Sequence, residues 1–192
     1  PITLHEVRTQ KIDPILGSDS LHDGLIAGII GLALVVVFMI VYYKVSGAMA
    51  CLALLVYGAV MLAIFKLWPV TLTMSGIAAV VLSIGMAVDA NVLINERIKE
   101  ELRAGKSLGA AVETGFSRAW PAIRDSNVTT LITCVILFWF GDALGAASVK
   151  GFGLTLGIGI LVSMLTAIIV ARAFMRAMAF TPLAKRTNLF HP

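Results

Sequence analysis

Apolar stretches of about 20 residues recur along this chain of 192 residues, and they limit its possible folds more than any other feature. A helix of ~20 apolar residues spans the hydrocarbon core of a bilayer, where only structures that pair their own backbone groups are stable. Such stretches can be read at residues 24–43, 47–65, 72–94, 122–140 and 151–175. The predicted fold class is therefore all-α, a polytopic membrane helix bundle with five transmembrane helices.

The composition agrees with this prediction. Hydrophobic residues make up 59% of the chain and charged residues only 14%, whereas soluble domains have ~25% charged residues. The mean hydropathy is +0.95. A net charge of +4 can indicate nucleic-acid binding, but here the basic residues cluster beside the apolar stretches and not on a soluble face. We therefore expect contact with membrane lipids and exclude nucleic acid as a partner.

The basic residues also predict the orientation of the bundle, because lysine and arginine favour the cytoplasmic side of a membrane. Eleven lie on one predicted side, namely Lys44, Arg97, Lys99, Arg103, Lys106, Arg118, Arg124, Arg172, Arg176, Lys185 and Arg186. The other side has only Arg8, Lys11, Lys66 and Lys150. This asymmetry predicts an external N-terminus and a cytoplasmic C-terminus.

Three regions follow from that orientation. Residues 1–17 are expected to be the end of an external region, residues 18–176 the transmembrane domain, and residues 177–192 a cytoplasmic tail. An external N-terminus without a signal sequence or initiator methionine needs an exported segment before it. We therefore expect the chain to be the C-terminal part of a larger protein with an earlier span and an external domain.

A change of pattern marks residues 107–119. Apolar or small residues recur there at helical spacing, namely Leu108, Ala111, Val112, Gly115, Phe116 and Ala119. This periodicity predicts an amphipathic helix at the cytoplasmic membrane interface, with Ser107 as its N-cap. A simple connecting helix without a sensing role is the plainer interpretation.

No pattern indicates an enzyme, a cofactor or a metal. Cys51 and Cys134 fall within apolar stretches and are expected to pack as lone thiols. The three histidines are scattered along the chain. Neither a glycine-rich phosphate loop nor a nucleophile–base pair is apparent, so we expect no catalytic residue and no cofactor.

Asp89 is the only ionisable residue in the stretch 72–94. A carboxylate at that depth costs roughly 3 kcal/mol on insertion scales, so such residues face a protein interior or a water-filled path and often mark proton relays. One interpretation is that Asp89 carries protons and alternates between the protonated and ionised forms. The other is a structural aspartate, bonded to Asn or Thr or paired with a cation on another subunit.

Further polar residues accompany Asp89 in the predicted spans. Asn91 and Asn95 lie on a different face of the same helix, which predicts a central position for that helix in the bundle. The next span opens with Asp125 and Asn127, and its hydroxyl residues at helical spacing are Ser126, Thr129, Thr130 and Thr133.

These hydroxyl residues have a predicted depth. Asp89 lies about six residues inside its span, roughly 9 Å at helical rise, and the same count from Asp125 reaches residues 130–131. We therefore expect Asp89 and the threonines at one level. The hydroxyls there either line a water path or bond their own backbone, and Asn91 and Asn127 serve either transport or helix–helix contact.

Three segments resemble a known family. They read GMAVDANVLINERIKEEL at residues 85–102, AIRDSNVTTLI at residues 122–132 and KGFGLTLGIGILVSMLTA at residues 150–167. They resemble the C-terminal membrane half of bacterial SecD, in the SecD/SecF family of the resistance-nodulation-division (RND) superfamily. Residues 16–28 are also similar to the segment that precedes a span in that family.

The resemblance implies a function. SecD and SecF, separate or fused, associate with the SecYEG translocon in the bacterial inner membrane and use the proton motive force to promote protein export. Their external domains bind the translocating polypeptide. By this resemblance Asp89 is the proton-carrying group, and Asp125, Asn127, Thr129 and Thr130 line its partner surface. The alternatives are an RND-type lipid or drug exporter subunit and a translocon scaffold without proton chemistry.

Overall fold

The structure, a computed structural model, describes residues 14–68 and 73–179 of the chain. Its helices are α1 (Pro14–Leu67), α2 (Met74–Arg103), α3 (Leu108–Ala143), α4 (Ala147–Leu165) and α5 (Arg172–Ala179), and a π-helical segment, Thr166–Ala171, joins the last two. The described residues contain no strand. Four helical stretches are long and apolar enough to cross a membrane, namely Ile26–Leu67, Met74–Arg103, Leu108–Ala143 and Ala147–Ala179. The chain is a multi-pass membrane protein, as predicted.

Helix α1 contains the first two predicted spans. It is broken at Lys44, where φ is 50° and ψ is −118°, values typical of the first central residue of a type II′ turn. A Cβ atom on Gly47 would lie 1.9 Å from the carbonyl oxygen of Met39, so only glycine fits beside this turn. The first two predicted spans are therefore the two arms of α1, and a very tight turn joins them.

Contacts with α2 show that the two arms of α1 are antiparallel. In the first arm, a Cβ on Gly24 would lie 3.7 Å from Ile77, and a Cβ on Gly28 would lie 3.7 Å from Val81. This arm therefore runs parallel to α2. In the second arm, Ala53 packs in the same cluster as Ala90 and Ile94, while Tyr57 bonds Ser83. The second arm therefore runs in the opposite direction.

Helix α2 occupies the centre of the bundle and contacts α1, α3 and α4. Small residues allow close approach. Tyr57 of α1 donates a hydrogen bond of 2.7 Å to Ser83, and a Cβ on Gly159 of α4 would lie 2.5 Å from the Ser83 Cβ. The central position expected for a helix with polar residues on two faces is confirmed.

The first part of α3 packs against the end of α2. The six residues that predicted an amphipathic helix are all buried, and five of them share a cluster with Ile98 and Leu102 of α2 and Met175 of α5. They belong to a helix that continues to Ala143. The apolar pattern therefore marks internal packing, and a location of residues 107–119 at the membrane interface stays a prediction.

Ion pairs hold together the end of the bundle where α2 ends and α3 begins. We call it the basic end, because Lys99, Lys106 and Arg118 lie there. Glu101 is buried and pairs with Lys106 at 2.6 Å and with Arg118 of α3. Glu113 of α3 pairs with Arg172 and Arg176 near the C-terminal end of the described chain. These pairs tie α2, α3 and α5 to one another.

Candidate functional site

Asp89 lies on an open side of the bundle, where α2 and α3 meet. Its side chain is exposed and borders a small cavity of about 50 Å³. From α2 the cavity is lined by Met86, Asp89, Ala90 and Leu93, and from α3 by Ala122, Ile123, Ser126 and Asn127. The structure therefore brings Asp89 together with Ser126 and Asn127.

Asp89 makes neither an ion pair nor a hydrogen bond through its side chain with any residue in the ranges 14–68 and 73–179. The aspartate is therefore not tied to Asn or Thr within this part of the chain. A carboxylate in an apolar segment costs ~3 kcal/mol or more unless protein, water or a proton compensates it. The compensating group for Asp89 must come from outside the described residues.

The predicted level of the threonines relative to Asp89 is not the observed one. Residues 130–131 were expected opposite Asp89, but the residues beside it are Ser126 and Asn127, about one turn closer to the basic end. The register of α2 and α3 is set where Gly115 contacts Ile98. Asp89 lies nine residues before Ile98 (98 − 89 = 9). The same distance from the contact along α3 is nine residues after Gly115, which is position 124. Residues 124–127 therefore lie at the level of Asp89.

The threonine hydroxyls bond their own helix. Thr129 donates to the Asp125 carbonyl at 2.9 Å. Thr130 donates to the Ser126 carbonyl at 3.1 Å, and Thr133 donates to the Thr129 carbonyl at 3.1 Å. Thr129 and Thr133 are nevertheless exposed, on the open side of α3. Of the two interpretations of these hydroxyl groups, bonding to their own backbone is the one that the geometry shows.

The remaining predicted residues lie away from Asp89. Asn91 is buried towards α1, and its amide donates 2.9 Å to the Ala87 carbonyl of its own helix. Asn95 is 3% exposed, and its Nδ2 has no hydrogen-bond partner among the described residues. Asp125 is exposed and pairs with its neighbour Arg124 at 2.9 Å. These groups form no continuous network with Asp89 in this part of the chain.

From the sequence, the charged run at residues 96–103 is expected to be a solvated helix end, but Lys99 within it is a buried cation. It is 3% exposed, and its ammonium lies 4.1 Å and 4.3 Å from the ring centroids of Tyr42 and Tyr43. The nearest carboxylate oxygen, on Glu96, is 3.7 Å away. Helical spacing offered the signal that was missed, because Asn91, Asn95 and Lys99 lie four residues apart on one buried face of α2.

Comparison with known proteins places these features in a family. Residues 3–181 match the family described as "Protein export membrane protein SecD/SecF, C-terminal". The chain is 52% identical over 191 residues to the protein translocase subunit SecD of Dehalococcoides mccartyi (strain VS), covering 99% of this chain and 42% of that protein. It is 50% identical over 194 residues to the SecD of Synechocystis sp., covering 100% of this chain and 40% of that protein.

A solved structure agrees with the sequence match. The crystal structure of SecDF, a translocon-associated membrane protein from Thermus thermophilus, superposes with a TM-score of 0.82 at 36% identity, over 90% of this chain and 23% of that one. The chain spans about two fifths of the length of the curated relatives described above. On this evidence the chain belongs to the SecD/SecF family of protein export membrane proteins, whose C-terminal region it matches.

Proposed function

We propose that this chain is the membrane half of a subunit that uses the proton motive force to promote export of polypeptides across the bacterial cytoplasmic membrane. The observation that carries the proposal is Asp89, the only ionisable residue of the stretch 72–94, exposed on an open side of the bundle without a partner among the described residues. In this role Asp89 carries the proton. The basic end of the bundle faces the cytoplasm.

The geometry supports proton transfer through a change of neighbours. Ionised Asp89 needs water or a cation beside it, whereas the protonated form can be covered by apolar protein. Because Asp89 lies on the open side, the covering surface belongs to another part of the assembly. Taking up and releasing a proton therefore favours alternate arrangements of the two surfaces, and such a movement can be passed to an external domain.

The proposed partners follow from the family. The SecF half, separate or fused, covers the side that contains Asp89, and SecYEG supplies the translocation channel. The translocating polypeptide binds external domains that lie outside this chain. The relatives' name, protein translocase subunit, favours this function over an RND-type lipid or drug exporter.

Substitution of Asp89 by Asn in the full-length parent tests the proposal. Asn keeps the size and hydrogen-bonding ability of the side chain but holds no transferable proton. We expect proton-gradient-dependent export in membrane vesicles to fall to the level seen with an uncoupler, at unchanged protein level and partner association. The matched control is Asp142→Asn, since Asp142 is an exposed aspartate that pairs with Lys150 elsewhere in the chain.

The result also decides between proton transfer and a purely structural role. A scaffold that stabilises the translocon needs the shape of residue 89 and not its charge. Normal export by the Asp89→Asn protein would therefore remove the proton-carrier role and leave the scaffold.

A further inference from the structure

A second, larger cavity lies beside the one that contains Asp89. Its volume is about 400 Å³, and it is bounded by α2, α3 and the π-helical segment with the start of α5. Its wall includes Phe116, Ser117, Trp120, Ile123 and Arg172. Most of these residues lie nearer the basic end than Asp89 does, so the cavity lies between the level of Asp89 and that end.

The wall of this cavity offers hydrogen-bonding groups. Ser117 is exposed at its edge. Pro121 lies inside α3, and because proline has no N–H, the Ser117 carbonyl receives no helical hydrogen bond from it. Arg172 has a buried Nε that makes no hydrogen bond with the described residues. Most of the wall is apolar, so water in this cavity would bind at these polar groups, for which the volume is ample.

The π-helical segment forms another part of the wall. Ala167 and Ile168 line the cavity from within it. The Thr166 hydroxyl donates to the carbonyls of Val162 and Ser163, at 3.0 Å and 3.1 Å, and so satisfies groups at the start of the segment. Short π-helical segments occur often at functional sites.

Ile123 separates the two cavities. It lines both of them and is 5% exposed. Along α3, Phe116, Ile123 and Asn127 lie seven and four residues apart and so share one face. Phe116 borders the large cavity and Asn127 the small one, with Ile123 between them.

We propose that the large cavity is the cytoplasmic water path through which Asp89 exchanges its proton, and that Ile123 is the apolar barrier that closes this path. The inference rests on the proposed function and adds a route and a gate to it. A movement of Ile123 joins the two cavities. While Ile123 stays in place, water at the basic end is kept from the carboxyl group.

Proton permeation through the reconstituted parent protein tests the barrier directly. We expect Ile123→Ala to raise the passive proton flux into vesicles severalfold, measured with a trapped pH-sensitive dye. Adding Asp89→Asn to this variant is expected to return the flux to the wild-type level, because the path ends at Asp89. The control Ile132→Ala removes the same atoms from an exposed position of α3 and is expected to leave the flux unchanged.

A blocking variant gives a second measurement that does not need Ile123 changed. Ser117→Trp fills the large cavity, and we expect proton-dependent export to fall severalfold at a normal protein level. Ala110→Trp places the same side chain on an exposed part of α3 and is expected to leave export unchanged.

The two proposals fail in different ways. An unchanged flux for Ile123→Ala, a raised flux that persists with Asp89→Asn, or normal export by the Ser117→Trp protein would each overturn the water path. In all three cases Asp89→Asn can still abolish export, and the proposed function would then stand without this route. Normal export by Asp89→Asn alone overturns both.

Discussion

At the scale of single residues, two charges of α2, Asp89 and Lys99, have different surroundings. Asp89 lies on the open side, and its side chain has no partner among the described residues. Lys99 is enclosed by this chain, with its ammonium over the rings of Tyr42 and Tyr43. Its ammonium makes no hydrogen bond with the described residues and pairs with Glu96 only at 3.7 Å, so the electrons of those rings contribute to its compensation. We infer that the cage fixes the turn of α1 against α2.

Removal of one ring tests this cage. We expect Tyr43→Leu to lower the free energy of unfolding by about 2 kcal/mol, since it uncovers a desolvated cation. Tyr43→Phe keeps the ring face and is expected to cost clearly less. In a Lys99→Met background the effect of Tyr43→Leu should shrink by about 1 kcal/mol, which a double-mutant cycle on the reconstituted protein would measure. Equal effects in both backgrounds would mean that the rings only fill space.

At the scale of helices, the register between α2 and α3 depends on one close contact. A Cβ on Gly115 would lie 2.7 Å from the Ile98 side chain and 3.0 Å from the Ile98 backbone nitrogen. The backbone cannot yield as a flexible side chain could. This contact sets which residues of α3 lie beside Asp89, so a change at residue 115 is transmitted to the site.

A glycine pair on the same helix tests that dependence. We expect Gly115→Ala to cost about 1–3 kcal/mol of stability, because overpacking pushes the helices apart, and to reduce export. Gly109→Ala is the control, since a Cβ there meets nothing within 4 Å. It should leave stability unchanged or raise it slightly. Similar thermal unfolding of the two variants in detergent would contradict the assigned register.

At the scale of the whole molecule, the surface of α3 is divided between two environments. Thr129 and Thr133 are exposed on the side of Asp89, whereas Val135 is 67% exposed among apolar neighbours on the side of α4. Under the proposed function, protein covers the first side and lipid the second.

Tryptophan substitutions distinguish the two sides. We expect Thr129→Trp to reduce copurification of the membrane half with its SecF partner severalfold, because a bulky ring prevents close packing of the two surfaces. Val135→Trp should have little effect, since lipid chains adapt to a larger apolar group. The measurement is the amount of partner recovered per amount of membrane-inserted protein. Equal recovery for both variants would argue against protein cover over Asp89.

The sequence predicted the fold class because long apolar runs are a simple contrast. It singled out Asp89 in the same way, as one charge within such a run, and the role of Asp89 stays a prediction. It did not predict the burial of Lys99 and Glu101, because charges near a helix end look solvated until the neighbouring helices are in place. The level of the threonines was missed for a related reason. Counting residues from the ends of apolar stretches assumes equal depths, whereas a single glycine contact decides the register.

The tight turn at Lys44 has a mechanical consequence for the first two spans. A one-turn slide of one helix past another moves it ~5.4 Å, and such a slide requires spare chain between the two helices. The turn has none, because the helices meet at a single non-helical residue and the Gly47 backbone lies against the Met39 carbonyl. The two arms of α1 therefore move together as one rigid hairpin. Helices of the bundle slide past one another only where a longer connection joins them or on the open side of α2.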